Sequence, residues 1–395
     1  MYLTREEERI LAGEEGPSRQ LAMKLIVRVG EALGAERLVK VSHVHVSGVS
    51  YSNIGDYGLE FIEALAASGR VAVYSTFNPA GFPLGGLEPP YAVPREYVNK
   101  QKKIIDTLIR MGFEPSGTCI PYTLREPRLG EHLAWGESSA VAVANTLYGA
   151  RTNREGGPVA LAAALVGRIY LWGLHLDHNR RPTKLVKVGA SIRDVLTAGV
   201  LGYIVGSSFS GEVPYIEVNP LDKWQVVSLC AAAAASGNTA MCIIKGISPE
   251  DQGPPLGVEK VAVDRRDIEA AREEVETASI DEAELFFTGC PHHPEHVVNK
   301  ILHVLERHGV SRLRRPIWVA IPGSAARSLR RAIAGLRERG VYILPGTCLV
   351  VSTLSRAGIK AIATDSVKTA FYMPRRHGIR VALSFLEDFV KKYGV

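Results

Sequence analysis

The sequence predicts a layered α/β protein with mostly parallel sheets. Short apolar runs alternate with helix-like segments in both halves of the chain, the rhythm of strand–helix–strand units. Small-residue loops follow several of these runs, as at Ser47-Gly48-Val49-Ser50-Tyr51-Ser52 and Asn78-Pro79-Ala80-Gly81. Hydrophobic residues make up 46% and charged ones 22% of the 395 residues, the balance of a folded globular protein without long disordered tracts. That length exceeds what one hydrophobic core usually organises, so two or three domains are expected.

Along the chain, Thr4-Arg5-Glu6-Glu7 has the form of a capping box, and Pro17 opens a helix expected to reach about Leu33. A strand is expected over 38–46, a helix over 56–67 and a strand over 71–77. Around 246–279 the character changes: Pro249, Pro254 and Pro255 break the pattern, and a charged segment fills 264–276. This is read as the boundary between a first α/β region, 1–279, with room for two subdomains, and a second α/β domain, 280–395. In the latter, strands are expected over 285–287, 317–321, 341–344 and 361–364, with helices over 296–308, 325–339 and 384–393. Neither an internal repeat nor a low-complexity tract interrupts the order.

Composition excludes several function classes. The 47 Lys+Arg against 41 Asp+Glu give a net charge of +6, which suits an anionic small molecule better than nucleic acid, since no dense basic stripe with interleaved aromatics occurs. The start, Met-Tyr-Leu-Thr-Arg-Glu-Glu-Glu-Arg, lacks the apolar core of a signal peptide. The most apolar stretches, 159–176 and 226–244, are interrupted by Arg168 and diluted by Ser228, Ser236, Gly237, Asn238 and Thr239, so no membrane span and a cytoplasmic location are expected. The chain has neither a Walker-A sequence nor a Gly-x-Gly-x-x-Gly turn, which argues against a nucleotide-dependent enzyme.

Three of the five cysteines share a local setting. Cys119 lies in Ser-Gly-Thr-Cys-Ile-Pro, Cys290 in Phe-Phe-Thr-Gly-Cys-Pro and Cys348 in Leu-Pro-Gly-Thr-Cys-Leu. The latter two follow strand-like runs, and ligands gather at the carboxyl ends of parallel strands. Glycine beside each cysteine is expected to let the backbone approach a bulky group closely. Cys230, in an alanine-rich helix-like run, and Cys242, in Met-Cys-Ile-Ile, read as buried core. With no Cys-x-x-Cys pair, metal ligation and plain burial both stay open for the trio. Three thiolates on a four-iron cubane would leave one iron free for substrate. Such an iron is a Lewis acid that makes hydroxide a better leaving group.

Longer motifs are more specific. Trp135-Gly136-Glu137-Ser138-Ser139-Ala140, followed by Gly149-Ala150-Arg151-Thr152-Asn153-Arg154-Glu155-Gly156-Gly157, resembles a hallmark of the aconitase X family. So do Gly48-Val49-Ser50-Tyr51, Thr76-Phe77-Asn78-Pro79, Gly289-Cys290-Pro291-His292 and Thr364-Asp365-Ser366-Val367-Lys368-Thr369-Ala370. The resemblance implies aconitase-like layered α/β/α domains and a hydro-lyase with a [4Fe-4S] cluster, a two-iron cluster being an alternative in this family. It implies Cys119, Cys290 and Cys348 as the cluster's ligands. It further implies that (R)-mevalonate 5-phosphate is dehydrated to trans-anhydromevalonate 5-phosphate, in the archaeal mevalonate route. Cis-3-hydroxy-L-proline is the alternative substrate. In this family a small swivelling domain closes over the site. Here no stretch after Val395 remains to form it, so a separate small subunit is expected to carry it.

The resemblance also implies substrate contacts at Gly48, Val49, Ser50, Asn78, Pro79, Ser138, Ser139 and Lys368, with Lys368, Ser138 and Ser139 as catalytic candidates. Read as residues alone, 47–52 is an ordinary Ser/Gly turn, one of the two serines is a helix cap, and Lys368 is a surface lysine. Arg151 and Arg154 fit either an anion or a solvated loop. His292 and His293 are expected to support the Cys290 loop rather than bind metal, and the spacings of His43, His45, His175 and His178 compel no metal site. A non-catalytic zinc- or ligand-binding α/β subunit is the competing reading.

Overall fold

The computed structural model describes residues 1–395, apart from the side chains at positions 330 and 331. Four sheets organise the described residues, three of them wholly parallel. Strands buried on both faces read as continuous apolar runs, and Ile317–Ile321 and Ala361–Thr364 are buried at every position.

The first parallel sheet places His43–Val46 between Tyr74–Phe77 and Ala134–Trp135. The largest places Phe286–Thr288 between Ile317–Ile321 and Ala361–Thr364, with Val341–Pro345 and Arg380–Leu383 at its edges. In both, the strand that comes first in sequence is central, and later strands add on either side of it. Each sheet therefore has a switch point where loops leaving neighbouring strands diverge, which opens a crevice at the carboxyl ends. A third parallel sheet, with Ile243–Ile244, Pro214–Glu217, Lys184–Val188 and Glu259–Val263, carries the middle of the chain.

Four buried clusters fill the spaces between these layers, and the largest of them reaches residues of all three parallel sheets. Trp135, Val141, Leu201, Cys230, Cys242, Phe287, Trp318 and Val367 belong to a single buried cluster. The two helices at its centre, Val195–Ser208 and Lys223–Gly237, touch backbone to backbone, and a Cβ at Gly237 would overlap the Gly206 carbonyl.

The capping box at Thr4 and the Pro17–Ala32 helix form as the sequence predicts. The expected 38–46 strand is divided: Leu38–Lys40 pairs antiparallel with Arg168–Tyr170, and His43–Val46 enters the parallel sheet. At the break, Val41 and Ser42 donate their N–H groups to Gly167 and His132, so the chain changes sheets there. The helix expected from 56 begins at Tyr51 and is kinked at Gly55, which has φ 59° and ψ −160°. The 264–276 segment is one capped helix, Arg265–Val275. In place of one 325–339 helix there is a short turn, Gly323–Ala326, and then a helix, Arg330–Glu338.

The Arg95–Arg110 helix has a specific task. Its Gln101 is fully buried; its Nε2 donates to the Val49 carbonyl at 2.9 Å, and its Oε1 accepts the Tyr51 N–H at 2.8 Å. One amide thus holds both sides of the 48–51 turn. Gln101→Ala leaves two backbone groups unpaired out of water, with an expected loss of about 1–3 kcal/mol. Urea unfolding reads this as a lower midpoint at unchanged slope; an unshifted midpoint would mean the turn holds its shape without Gln101.

Candidate active site

Both switch points open onto one cavity of about 280 Å³. Its walls come from the loops at 47–50, 78–79, 136–138, 289–292 and 348–351, with Cys119, Arg154, Lys368 and Tyr372. Cys119, Cys290 and Cys348 all line it, whereas Cys230 and Cys242 are buried elsewhere at 0% and 1% exposure. The structure thus divides the five cysteines as the sequence does.

The three cysteine loops are tied together by His292. Its main-chain N–H donates to Cys119 Sγ at 3.2 Å, and its Nε2–H donates to the Thr347 carbonyl at 2.8 Å. His292 Nδ1 is then a buried acceptor without a partner on the cavity wall. The glycines beside the cysteines serve the backbone rather than an incoming group. Gly117, Gly289 and Gly346 have φ of 45°, 105° and 62°. A Cβ would meet Leu84 at the first and last of these and the Ala320 backbone at Gly289, all protein neighbours.

Burial, with the nearby Glu137 carboxylate, raises the three thiols, Cys348 to about 12, against the opposing pull of the Lys368 charge and of hydrogen bonds to each sulfur. Thiolates therefore require a cation there. Among the described residues no three His, Cys, Asp or Glu converge closely enough to hold a single ion. Cysteines spread around a cavity wall suit a polynuclear group, in which each thiolate meets a different metal atom.

Beside the cysteines lies a residue that sequence reading left out. Glu137, the residue before the Ser138–Leu147 helix, is largely but not fully buried and accepts Lys368 Nζ at 2.7 Å, Asn78 Nδ2 at 2.7 Å, Ser139 Oγ at 3.1 Å and Ser138 Oγ at 3.3 Å. Burial alone would raise its pKa; the charge and hydrogen bond of Lys368, with Asn78, hold the carboxyl well below the usual range. Burial would likewise lower Lys368, but Glu137 holds the ammonium charged. Lys368 also donates to Ser138 Oγ and Ser139 Oγ, each at 3.3 Å. The lysine is not a surface residue; it is 8% exposed.

The structure brings together Gly48, Val49, Ser50, Asn78, Pro79, Ser138 and Lys368 on the cavity wall, with Ser139 behind Ser138 on Lys368. The Ser50 hydroxyl is already engaged, donating to the Val351 carbonyl at 3.0 Å and accepting from Tyr97 at 2.8 Å. It joins the 48–50 turn to the Cys348 loop. Arg154 lines the cavity and bonds Asn238 at 2.8 Å, whereas Arg151 pairs with Asp177 and the His175 carbonyl away from it. The Ser138–Leu147 helix begins at the cavity wall without a side-chain cap, so its first-turn N–H groups favour an anion, whereas the first N–H of the Tyr51–Ala66 helix is already taken by Gln101. His43 and His45 are buried within the first sheet.

Comparison with known proteins gives the family and supports the fold. Models described as aconitase X first, second and third domains match residues 1–178, 182–273 and 283–394. The phosphomevalonate dehydratase large subunit of Thermococcus kodakarensis is 38% identical over 402 residues, 99% of this chain and 100% of that protein. The chain belongs to the aconitase X family. The crystal structure of Thermococcus kodakaraensis aconitase X in its holo form superposes with a TM-score of 0.90 at 37% identity, covering 100% of both chains. A cis-3-hydroxy-L-proline dehydratase of Pseudomonas aeruginosa is more distant, 29% identical over 98% of this chain and 68% of that protein. No described helix is long and apolar enough to cross a membrane.

The buried ion pair gives a stability prediction. Lys368→Met leaves Glu137 without its counter-charge, with an expected cost of about 3–5 kcal/mol. The double variant Lys368→Met/Glu137→Leu should regain most of that. Denaturant midpoints of the three proteins decide it, and a single variant as stable as the parent would show that the pair anchors nothing.

Proposed function

We propose that this aconitase X chain is the cluster-bearing large subunit of a cytoplasmic hydro-lyase that dehydrates (R)-mevalonate 5-phosphate to trans-anhydromevalonate 5-phosphate, in the mevalonate route of isoprenoid synthesis. The observation that carries this reading is the convergence of Cys119, Cys290 and Cys348 on one cavity wall beside the Glu137–Lys368 pair. Likeness over full length to a phosphomevalonate dehydratase large subunit supports the substrate, against the more distant hydroxyproline enzyme. A single structural zinc suits the trio poorly, given the spacing described above.

In this reading Cys119, Cys290 and Cys348 hold a [4Fe-4S] cluster, which when bound supplies an iron without a protein ligand, a Lewis acid for hydroxyl and carboxylate. The chain's own residues bind and orient. The uncapped start of the Ser138–Leu147 helix and Lys368 present N–H groups to the anionic ends of the substrate. Asn78 and the Ser138/Ser139 turn fix its position, with Gly48, Val49, Ser50 and Pro79 shaping the wall. The C2 proton and the C3 hydroxyl leave as water, with no change of oxidation state.

Glu137 is a poor candidate for the base that takes the C2 proton. It is the sole carboxylate among the described lining residues, it accepts four hydrogen bonds, and it is held ionised. We assign the base to a serine of the swivelling domain, carried by a separate small subunit that closes the cavity.

Iron content tests the ligands. Cys119→Ser, Cys290→Ser and Cys348→Ser should each lose most iron and all turnover, while Cys230→Ser and Cys242→Ser keep the cluster. An iron-free Cys242→Ser with an intact Cys348→Ser would mean the wrong trio.

The anaerobic assay of the brown protein with mevalonate 5-phosphate tests the rest. Turnover is expected only with the small subunit present, and full activity of this chain alone would overturn the two-chain reading. Equal dehydration of mevalonate or cis-3-hydroxy-L-proline would sink the substrate assignment and leave the hydro-lyase.

A further inference from the structure

Behind the cavity, the first parallel sheet holds a row of polar side chains that the functional reading leaves unexplained. His43, His45 and Thr76 are each 0% exposed. Side chains two apart on a strand share a face, and Thr76 stands in register with His45 on the neighbouring strand, so the three meet on one side of the sheet. Thr76 Oγ1 lies 2.8 Å from His43 Nε2 and 2.7 Å from His45 Nδ1. His45 Nε2 lies 2.7 Å from Asn78 Oδ1, and Asn78 Nδ2 lies 2.7 Å from Glu137 Oε2. Three unlike polar side chains in a dry sheet need a reason, since each is costly there unless paired.

We propose that Thr76 and His45 are positioning residues, the middle of a one-way hydrogen-bond chain from His43 that fixes the amide of Asn78 and, through it, the Glu137 carboxylate that holds Lys368.

The direction follows from the acidic end. Glu137 is ionised and only accepts, so the Asn78 NH2 must face it and the Asn78 oxygen must face His45. His45 then carries its proton on Nε2. Burial pushes the His45 pKa down to about 4, so the ring is neutral and Nδ1 is a lone pair. Thr76 must therefore donate to Nδ1; its alternative acceptor, the Val44 carbonyl, is at 3.4 Å. Having spent its only hydrogen, Thr76 Oγ1 accepts from His43 Nε2–H. The chain ends at His43 Nδ1, which has no partner. An unpartnered lone pair there is what this direction requires. Trp135 packs edge-on against both imidazoles, with ring centroids 5.2 Å and 6.2 Å away, and limits their rotation.

Reversing any link would turn the side-chain oxygen of Asn78 toward Glu137 and deprive the carboxylate of one of its four donors. The proton positions stand apart from the hydro-lyase reading; the effect on turnover rests on it.

Two measurements test the proposal. Neutron diffraction from crystals of the perdeuterated, iron-loaded protein should place deuterons on Nε2 of His43 and His45 and orient the Asn78 ND2 group toward Glu137. A deuteron on His45 Nδ1, or a reversed amide, overturns the chain whatever the substrate is. In the iron-loaded two-subunit enzyme, Thr76→Val removes the relay hydroxyl at nearly constant volume. It should lower kcat/KM per bound iron about tenfold, with Thr76→Ser within about threefold of the parent. A purely structural role would lower stability or iron content and leave turnover per iron unchanged, and that result overturns the positioning role. Should Thr76→Val fail to fold, the neutron map and Thr76→Ser still decide. A parent enzyme inactive on mevalonate 5-phosphate refutes the substrate instead, and leaves the neutron result as the test.

Discussion

The contact on which the site depends is the ion pair between Glu137 and Lys368, residues 231 positions apart in the chain. Glu137 closes a strand of the first sheet and opens the Ser138–Leu147 helix, and Lys368 stands in the first turn of the Val367–His377 helix after a strand of the largest sheet. Two switch points, belonging to two sheets, are brought face to face by one buried salt bridge of 2.7 Å. Desolvating both charges is costly, and the geometry offsets it by satisfying them fully: the carboxylate has four donors and the ammonium three acceptors. A buried pair so arranged contributes registration between the two halves more than net stability.

Around that pair, each loop that lines the cavity is also a fastening between parts. The 48–51 turn is held by Gln101 and bonded through Ser50 to Val351; the Asn78–Ala80 loop exchanges backbone hydrogen bonds with Gly346 and Cys348. His292 joins all three cysteine loops. Cysteine positions set in this way are preformed, so a polynuclear group would find its thiols already spaced. The same fastenings join separate buried clusters across the cavity, since its wall takes Val49 from one and Phe287 from another.

Much of the largest sheet was legible because it obeys simple rules. The runs at 317–321 and 361–364 are buried on both faces and therefore uniformly apolar, and their limits in the structure are those read from the pattern. The cysteine trio was legible from shared neighbours. Glu137 was not, because a carboxylate before two serines and an apolar run looks like an ordinary helix start; its partners, Asn78 and Lys368, are 59 and 231 residues away. The histidines at 43 and 45 were opaque for the same reason. Their alternation fits a strand, and nothing local reveals that Thr76 stands opposite His45 with its hydroxyl within reach of both rings. The 38–46 run misled because apolarity fixes burial and not sheet membership. The division lies at Val41-Ser42, where hydrogen bonds to Gly167 and His132 turn the chain from one sheet into another.

The completeness of the pairing bears on how the cavity discriminates. All three Lys368 donors and both serine hydroxyls are engaged among themselves and with Glu137. A neutral ligand offers these groups nothing better than they already have, because exchanging one hydrogen bond for another contributes little net free energy. An anion does, since Lys368 can share its charge with a second carboxylate or phosphate, and charge-assisted bonds are roughly twice as strong as neutral ones. The helix start at Ser138 adds to this in the same direction, because its N–H groups lack a side-chain cap. Selection for anions is therefore built into the pairing of Lys368 with Glu137 and the two serines, groups that have no surplus for anything weaker.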